Sequence, residues 1–206
     1  MELLTSRVGP DTLSDGSKAR ARTDRTGALV VNVHGRRYET AKRGLLYTAT
    51  TAAGGVAPGT TIGTAAAFAL VNPTDSGIDL VILSIGLGYI SGTIGAGSVM
   101  ICRGAPNSTA VTGTAIVTQS GRFSTAPGRA AAYTTATLPA TPTAVGVFCN
   151  LNAMLATTAT MPAVVRDDVE GKYIVPPEWS FSLQGVATAG TAPLLVYELC
   201  WLEVPV

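Results

Sequence analysis

His34 is the only histidine in the 206-residue sequence. A Ser-His-Asp triad or a histidine-held metal would have to be built on it. It stands beside Arg36 and Arg37 in a polar stretch, where a solvated or phosphate-facing side chain is the simpler expectation. Cys102, Cys149 and Cys200 are odd in number and widely spaced. Disulfide frameworks need pairs and zinc sites need paired spacing, so these three read as reduced thiols filling small core positions. Asp167, Asp168 and Glu170 offer hard oxygen donors for a cation such as Ca²⁺, but they complete no EF-hand loop. They read as a solvated acidic turn that could receive a basic segment. Asp75 suits a turn.

Two glycine runs invite a phosphate-binding reading. Residues 86–91 (GLGYIS) fall one residue short of GxGxxG, and no helical pattern follows. Residues 92–97 (GTIGAG) lack the Lys-Ser/Thr ending of a phosphate loop. The glycines are better explained by a bulge or close sheet packing. Asn107-Ser108-Thr109 fits the glycosylation pattern, but no secretory signal accompanies it. The chemistry-bearing residues therefore define no catalytic, cofactor or metal set, and a non-enzymatic protein is expected.

The elements around these residues are β-type. Hydrophobic residues make up 47% of the chain and charged residues 13%. Thr, Val and Gly with few Glu or Lys favour short strands and frequent turns. Strands are expected at residues 45–51, 65–71, 78–90, 98–102, 145–151, 172–175, 179–186 and 194–204, with shorter ones at 115–119 and 131–135. Residues 71–102 read as the central hairpin, and 104–142 as either a surface excursion or a binding loop. In 179–186, Trp179, Phe181 and Leu183 alternate with Ser180, Ser182 and Gln184. The expected fold is all-β: an antiparallel β-sandwich, commonly a jelly roll, of about eight to ten strands. The last strand looks apolar on both faces. Leu195, Tyr197, Leu199 and Trp201 are therefore expected at the interface of a homo-oligomer, most simply a trimer.

Charge divides the chain. Residues 1–45 hold nine of the fourteen Lys and Arg and five of the thirteen acids. Residues 1–43 read as an extended basic arm with a short hairpin at 28–39, and 44–206 as the body. Arg7, Lys18, Arg20, Arg22, Arg25, Arg36, Arg37, Lys42 and Arg43 are its partner-binding residues. The segment could not offset its ordering entropy alone, so it needs a surface to lie on. Interleaved Asp15, Asp24 and Glu39 dilute the field, and only Tyr38 offers a nearby stacking ring. An acidic protein surface is expected rather than nucleic acid. No window of about 18 apolar residues suggests a membrane span. With no signal peptide, folding in a reducing cytoplasm is expected.

Asn72-Pro73, Ser76-Gly77, residues 80–83, Gly88-Tyr89 and residues 92–97 together resemble small virion proteins of tailed bacteriophages. So does the C-terminal pair WSFSLQGVATAGTAPLLVYELCWLEVPV. The resemblance spans roughly residues 44–206 and omits the arm. Such proteins are similar to jelly-roll decoration (cement) proteins that cap capsomers, often as trimers. It implies a virion protein assembled in the host cytoplasm, a major capsid protein as partner, and no catalytic motif. Related sandwiches in tail and fibre components imply an alternative, recognition of a host-surface glycan. Trp179, Tyr133 and Tyr89 would then be the stacking platforms.

Overall fold

The structure is a computed structural model that describes residues 37–106, 110–124, 126–151 and 164–206. Glu39–Val206 form one compact unit. The described elements are, in order, a short helix α1 (Tyr38–Lys42), then β1 (Leu46–Thr50), β2 (Ala65–Val71), β3 (Ile78–Ser91), β4 (Ser98–Arg103) and β5 (Thr112–Ile116). There follow β6 (Gln119–Ser120), β7 (Ala131–Thr137), β8 (Thr143–Asn150), β9 (Val164–Asp167), β10 (Tyr173–Val175), β11 (Ser180–Val186) and β12 (Leu194–Pro205). All pairings are antiparallel, and the strands form two sheets, an all-β sandwich. The first sheet runs β10-β3-β12-β1-β6 with β9 also on β3; the second runs β5-β7-β2-β11-β4-β8. The strands outnumber the expected eight to ten because β6, β9 and β10 are short edge pieces. The small hairpin expected at 28–39 lies mostly outside the described residues, but Tyr38 and Glu39 are helical.

The central hairpin is corrected. β3 and β4 are consecutive, yet they lie in different sheets. β3 pairs with β12, and β4 pairs with β11. Two β-arches therefore run side by side, and their crossing loops pair with each other. Thr93 N–H donates to Thr191 O at 3.0 Å, Gly95 N–H to Ala189 O at 2.8 Å, and Ala189 N–H to Ala96 O at 2.7 Å. A tight hairpin cannot cross the roughly 10 Å between packed sheets; a paired glycine arch can. A Cβ on Gly92 would sit 2.2 Å from Ala192 O, and one on Gly190 would sit 1.9 Å from Thr93 O. The glycines of 92–97 serve this close approach.

Inside the sandwich, β12 places Leu195, Tyr197, Leu199 and Trp201 opposite Tyr89, Leu87, Ile85 and Ile82 of β3. All four β12 side chains are 0% exposed within one chain. They face Phe68, Leu70, Phe181 and Leu183 of the second sheet in one core. The expectation that they form a subunit interface is thus corrected: the body's own core already covers them. A register shift at Cys200/Trp201 leaves Leu83 unpaired in β3. It changes the phase of the inward set from Ile78, Leu80 and Ile82 to Ile85 and Leu87. The strand consequently reads as continuously apolar rather than alternating.

The second sheet is covered on its outer side too. Ser180, Ser182 and Gln184 alternate with the core residues of β11 as expected, yet all three are buried. Gln184 accepts from Gly63 N–H at 2.9 Å and donates to Gly63 O at 3.0 Å, pinning the β1–β2 loop. A satellite cluster of Ala66, Ala69, Val71, Val111, Ala136 and Leu138 lies on this sheet. Val111 belongs to the segment that reads as an irregular surface excursion. On β12, the buried Glu203 carboxylate accepts from the backbone N–H groups of Arg129 (2.9 Å) and Ala130 (3.0 Å). It ties the β6–β7 loop to the first sheet.

Candidate interaction surfaces

Arg37, Lys42 and Arg43 flank or end α1, with Lys42 and Arg43 exposed. Arg7, Lys18, Arg20, Arg22, Arg25 and Arg36 lie outside the described residues, as do His34 and residues 107–109. The acidic turn is preceded by a cation that pairs with it. Arg166 Nε is 3.7 Å from Asp168, and Arg166 donates to Ser84 Oγ at 3.0 Å. Asp167 ends β9, and Glu170 occupies a left-handed turn position (φ 48°) whose N–H donates to Leu83 O. Among the described residues no group of three His, Cys, Asp or Glu side chains is placed to hold a metal.

The cysteines form no disulfide. Cys102 is buried on the outer side of β4, opposite Ser182. Burial pushes the thiols of Cys102 and Cys149 up to about 11, and for Cys149 a backbone hydrogen bond at Val99 opposes the rise. Such thiols are poor nucleophiles at neutral pH. Burial also raises Tyr197 well above the usual phenol range, and Cys149 adds to the rise.

The outer face of the first sheet carries a feature that strand reading missed. Leu46 of β1 pairs with Leu202 of β12, Leu202 with Val81 of β3, and Val81 with Ile174 of β10. Four apolar side chains therefore form a row across four strands. Leu46 is buried at one end, Leu202 and Val81 are half-buried, and Ile174 is 56% exposed at the other. Val204, 37% exposed, adds to this face. The row follows from register between strands up to 156 residues apart, which no single segment displays.

A cleft of about 390 Å³ opens between β10 of the first sheet and β4 and β8 of the second. Trp179, Tyr173 and Phe181 form its aromatic wall, with Val145, Ile174 and Pro176 beside them. The Arg103 guanidinium lies 4.9 Å from the Trp179 ring centroid, and Lys172 Nζ lies 5.2 Å from that of Tyr173. Tyr173 and Phe181 pack at 6.3 Å with planes tilted by 57°. Ser180 also lines the cleft, but its hydroxyl is buried against Gly104, with no hydrogen-bond partner among the described residues. The sequence offers Trp179 as a ring, with Lys172 nearby in the chain, but Arg103 comes from a distant segment.

Of the other proposed platforms, Tyr133 is half-buried against the satellite cluster, and Tyr89 is 38% exposed with its hydroxyl donating to Gly92 O. A different aromatic stands out. Phe123 is 96% exposed at a positive φ of 54°, in the loop after β6, near Val117 at 75% exposure. An aromatic set among Gly, Arg, Ser and Thr (GRFST) was the available sequence signal. No family model, curated protein or solved structure matches the chain.

Proposed function

We propose that the chain is a non-enzymatic structural subunit of a bacteriophage virion. It is a capsid decoration protein that oligomerises as a trimer and clamps major-capsid subunits with its basic N-terminal segment. The observation that carries this reading is the apolar row Leu46–Leu202–Val81–Ile174 on the outer face of the first sheet. A flat apolar strip on a charge-poor body favours burial against a second copy, at about 25 cal/mol per Å² of apolar surface removed from water. This face replaces the inward side of β12 as the association surface. The basic residues of 1–43 supply contacts that are individually weak and add over a repeating shell. The resemblance of residues 44–206 to phage virion proteins supplies the context. Deleting residues 1–43 is expected to leave a folded oligomer that no longer binds particles of the cognate major capsid protein. Undiminished decoration by the truncated protein contradicts the clamp.

A second reading, a tail or fibre module that recognises a host-surface glycan, is favoured by Phe123, an almost fully exposed ring on a loop. In that case Phe123→Ala abolishes binding to host-surface glycans without changing stability, measured by glycan-array fluorescence and thermal melting.

A further inference from the structure

We infer that the cleft between β8 and β10 binds an extended acidic segment of a partner protein. One of its carboxylates pairs with Arg103 and Lys172, and a neighbouring apolar side chain fills the aromatic cleft. The site does not depend on the virion assignment.

Two observations converge. The first is charge: Arg103 and Lys172 both line the cleft, and neither forms an ion pair with a carboxylate among the described residues. Two cations held over ring faces beside an apolar pocket attract an anion that also carries apolar surface. The second is the seam. β8 and β10 end their sheets, so each leaves one backbone edge without a neighbouring strand among the described residues. Val145 of β8 and Ile174 of β10 are 45% and 56% exposed and border the cleft. An extended peptide laid along β8 meets unpaired backbone groups on one side and the cleft on the other, the arrangement used in strand addition.

A sugar fits less well. Carbohydrate stacking needs a free ring face, and here Arg103 covers one face of Trp179 while Lys172 and Phe181 flank Tyr173. The chain's own residues 1–43 are basic, so charge also argues against that segment of a second copy.

The test uses the full chain and a dye-labelled, end-blocked octapeptide of alternating Glu and Leu, with its Lys/Leu counterpart, read by fluorescence anisotropy. Saturable binding of the acidic peptide alone is expected. Arg103→Gln and Lys172→Gln should each weaken it about tenfold, the size of one charge-assisted hydrogen bond. Val145→Glu should weaken it through repulsion while the fold, followed by circular dichroism, is retained. Absent binding, or equal binding by wild type and both Gln variants, overturns the proposal. Displacement of the peptide by polygalacturonate with the same dependence on Arg103 and Lys172 reassigns the cleft to acidic glycans and overturns it. A drop in the oligomer mass of the two Gln variants assigns the cleft to a second copy and overturns it equally.

Discussion

At the residue scale, the body is held by a few polar groups placed where an apolar residue could not serve. Glu203 is 5% exposed, and its two carboxylate oxygens accept from consecutive backbone N–H groups at 129 and 130. Gly128 lies so close that a Cβ there would fall 2.6 Å from Glu203 Oε1. Glu203→Gln turns one accepting oxygen into a donor facing a donor. It is expected to cost about 2 kcal/mol, read as a lower urea midpoint at unchanged slope. The buried thiols give a pH signature. Cys102 and Cys149 are raised from 9.0 to about 11, so the folded state holds more protons than the unfolded state between those values. Their contribution is complete below about pH 9 and is lost as pH rises toward 11. Stability measured by denaturant titration should decline across that window, and Cys102→Ala should flatten the decline.

At the element scale, the strands were largely legible in the sequence and their partners were not. β2 was delimited by its alanine-rich run ending at Asn72-Pro73, and β11 by clean alternation from Ser180. Both signals are local. Whether β3 turns back onto β4 or crosses to the other sheet depends on loop-to-loop pairing with residues nearly one hundred positions away. The same limit hides that Leu195, Tyr197, Leu199 and Trp201 belong to the chain's own core. The two-sided apolar character of β12 arises because its inner side fills the core while Leu202 joins a row assembled from four strands. The arch itself is testable. Gly190 adopts φ 120°, and an added Cβ would meet Thr93 O at 1.9 Å. Gly190→Ala should destabilise by about 2–4 kcal/mol through backbone strain and displacement of the paired loop, whereas a simple flexible linker would tolerate it. Thermal melting distinguishes the two.

At the scale of the whole molecule, two surfaces divide the work in this account. In the proposed role, the outer face of the first sheet is the surface for joining copies of the chain, and the basic N-terminal residues are the contacts to the partner. The seam cleft is a third surface, lined from β4, β8, β10 and β11, and it meets the exposed end of the row at Ile174. Core residues should not discriminate between these roles. Leu199→Ala, at a fully buried position, should cost about 2–5 kcal/mol and weaken every property together. A surface variant separates assembly from folding, because Val81 sits mid-row on the outer face and is only half-buried. The most direct measurement is light scattering coupled to size exclusion on the full chain and on Val81→Glu. A mass three times that of one chain for the wild type is expected, with the variant a folded monomer of unchanged circular dichroism. A wild-type monomer at every concentration, or a Val81→Glu protein that associates as the wild type does, would contradict the account.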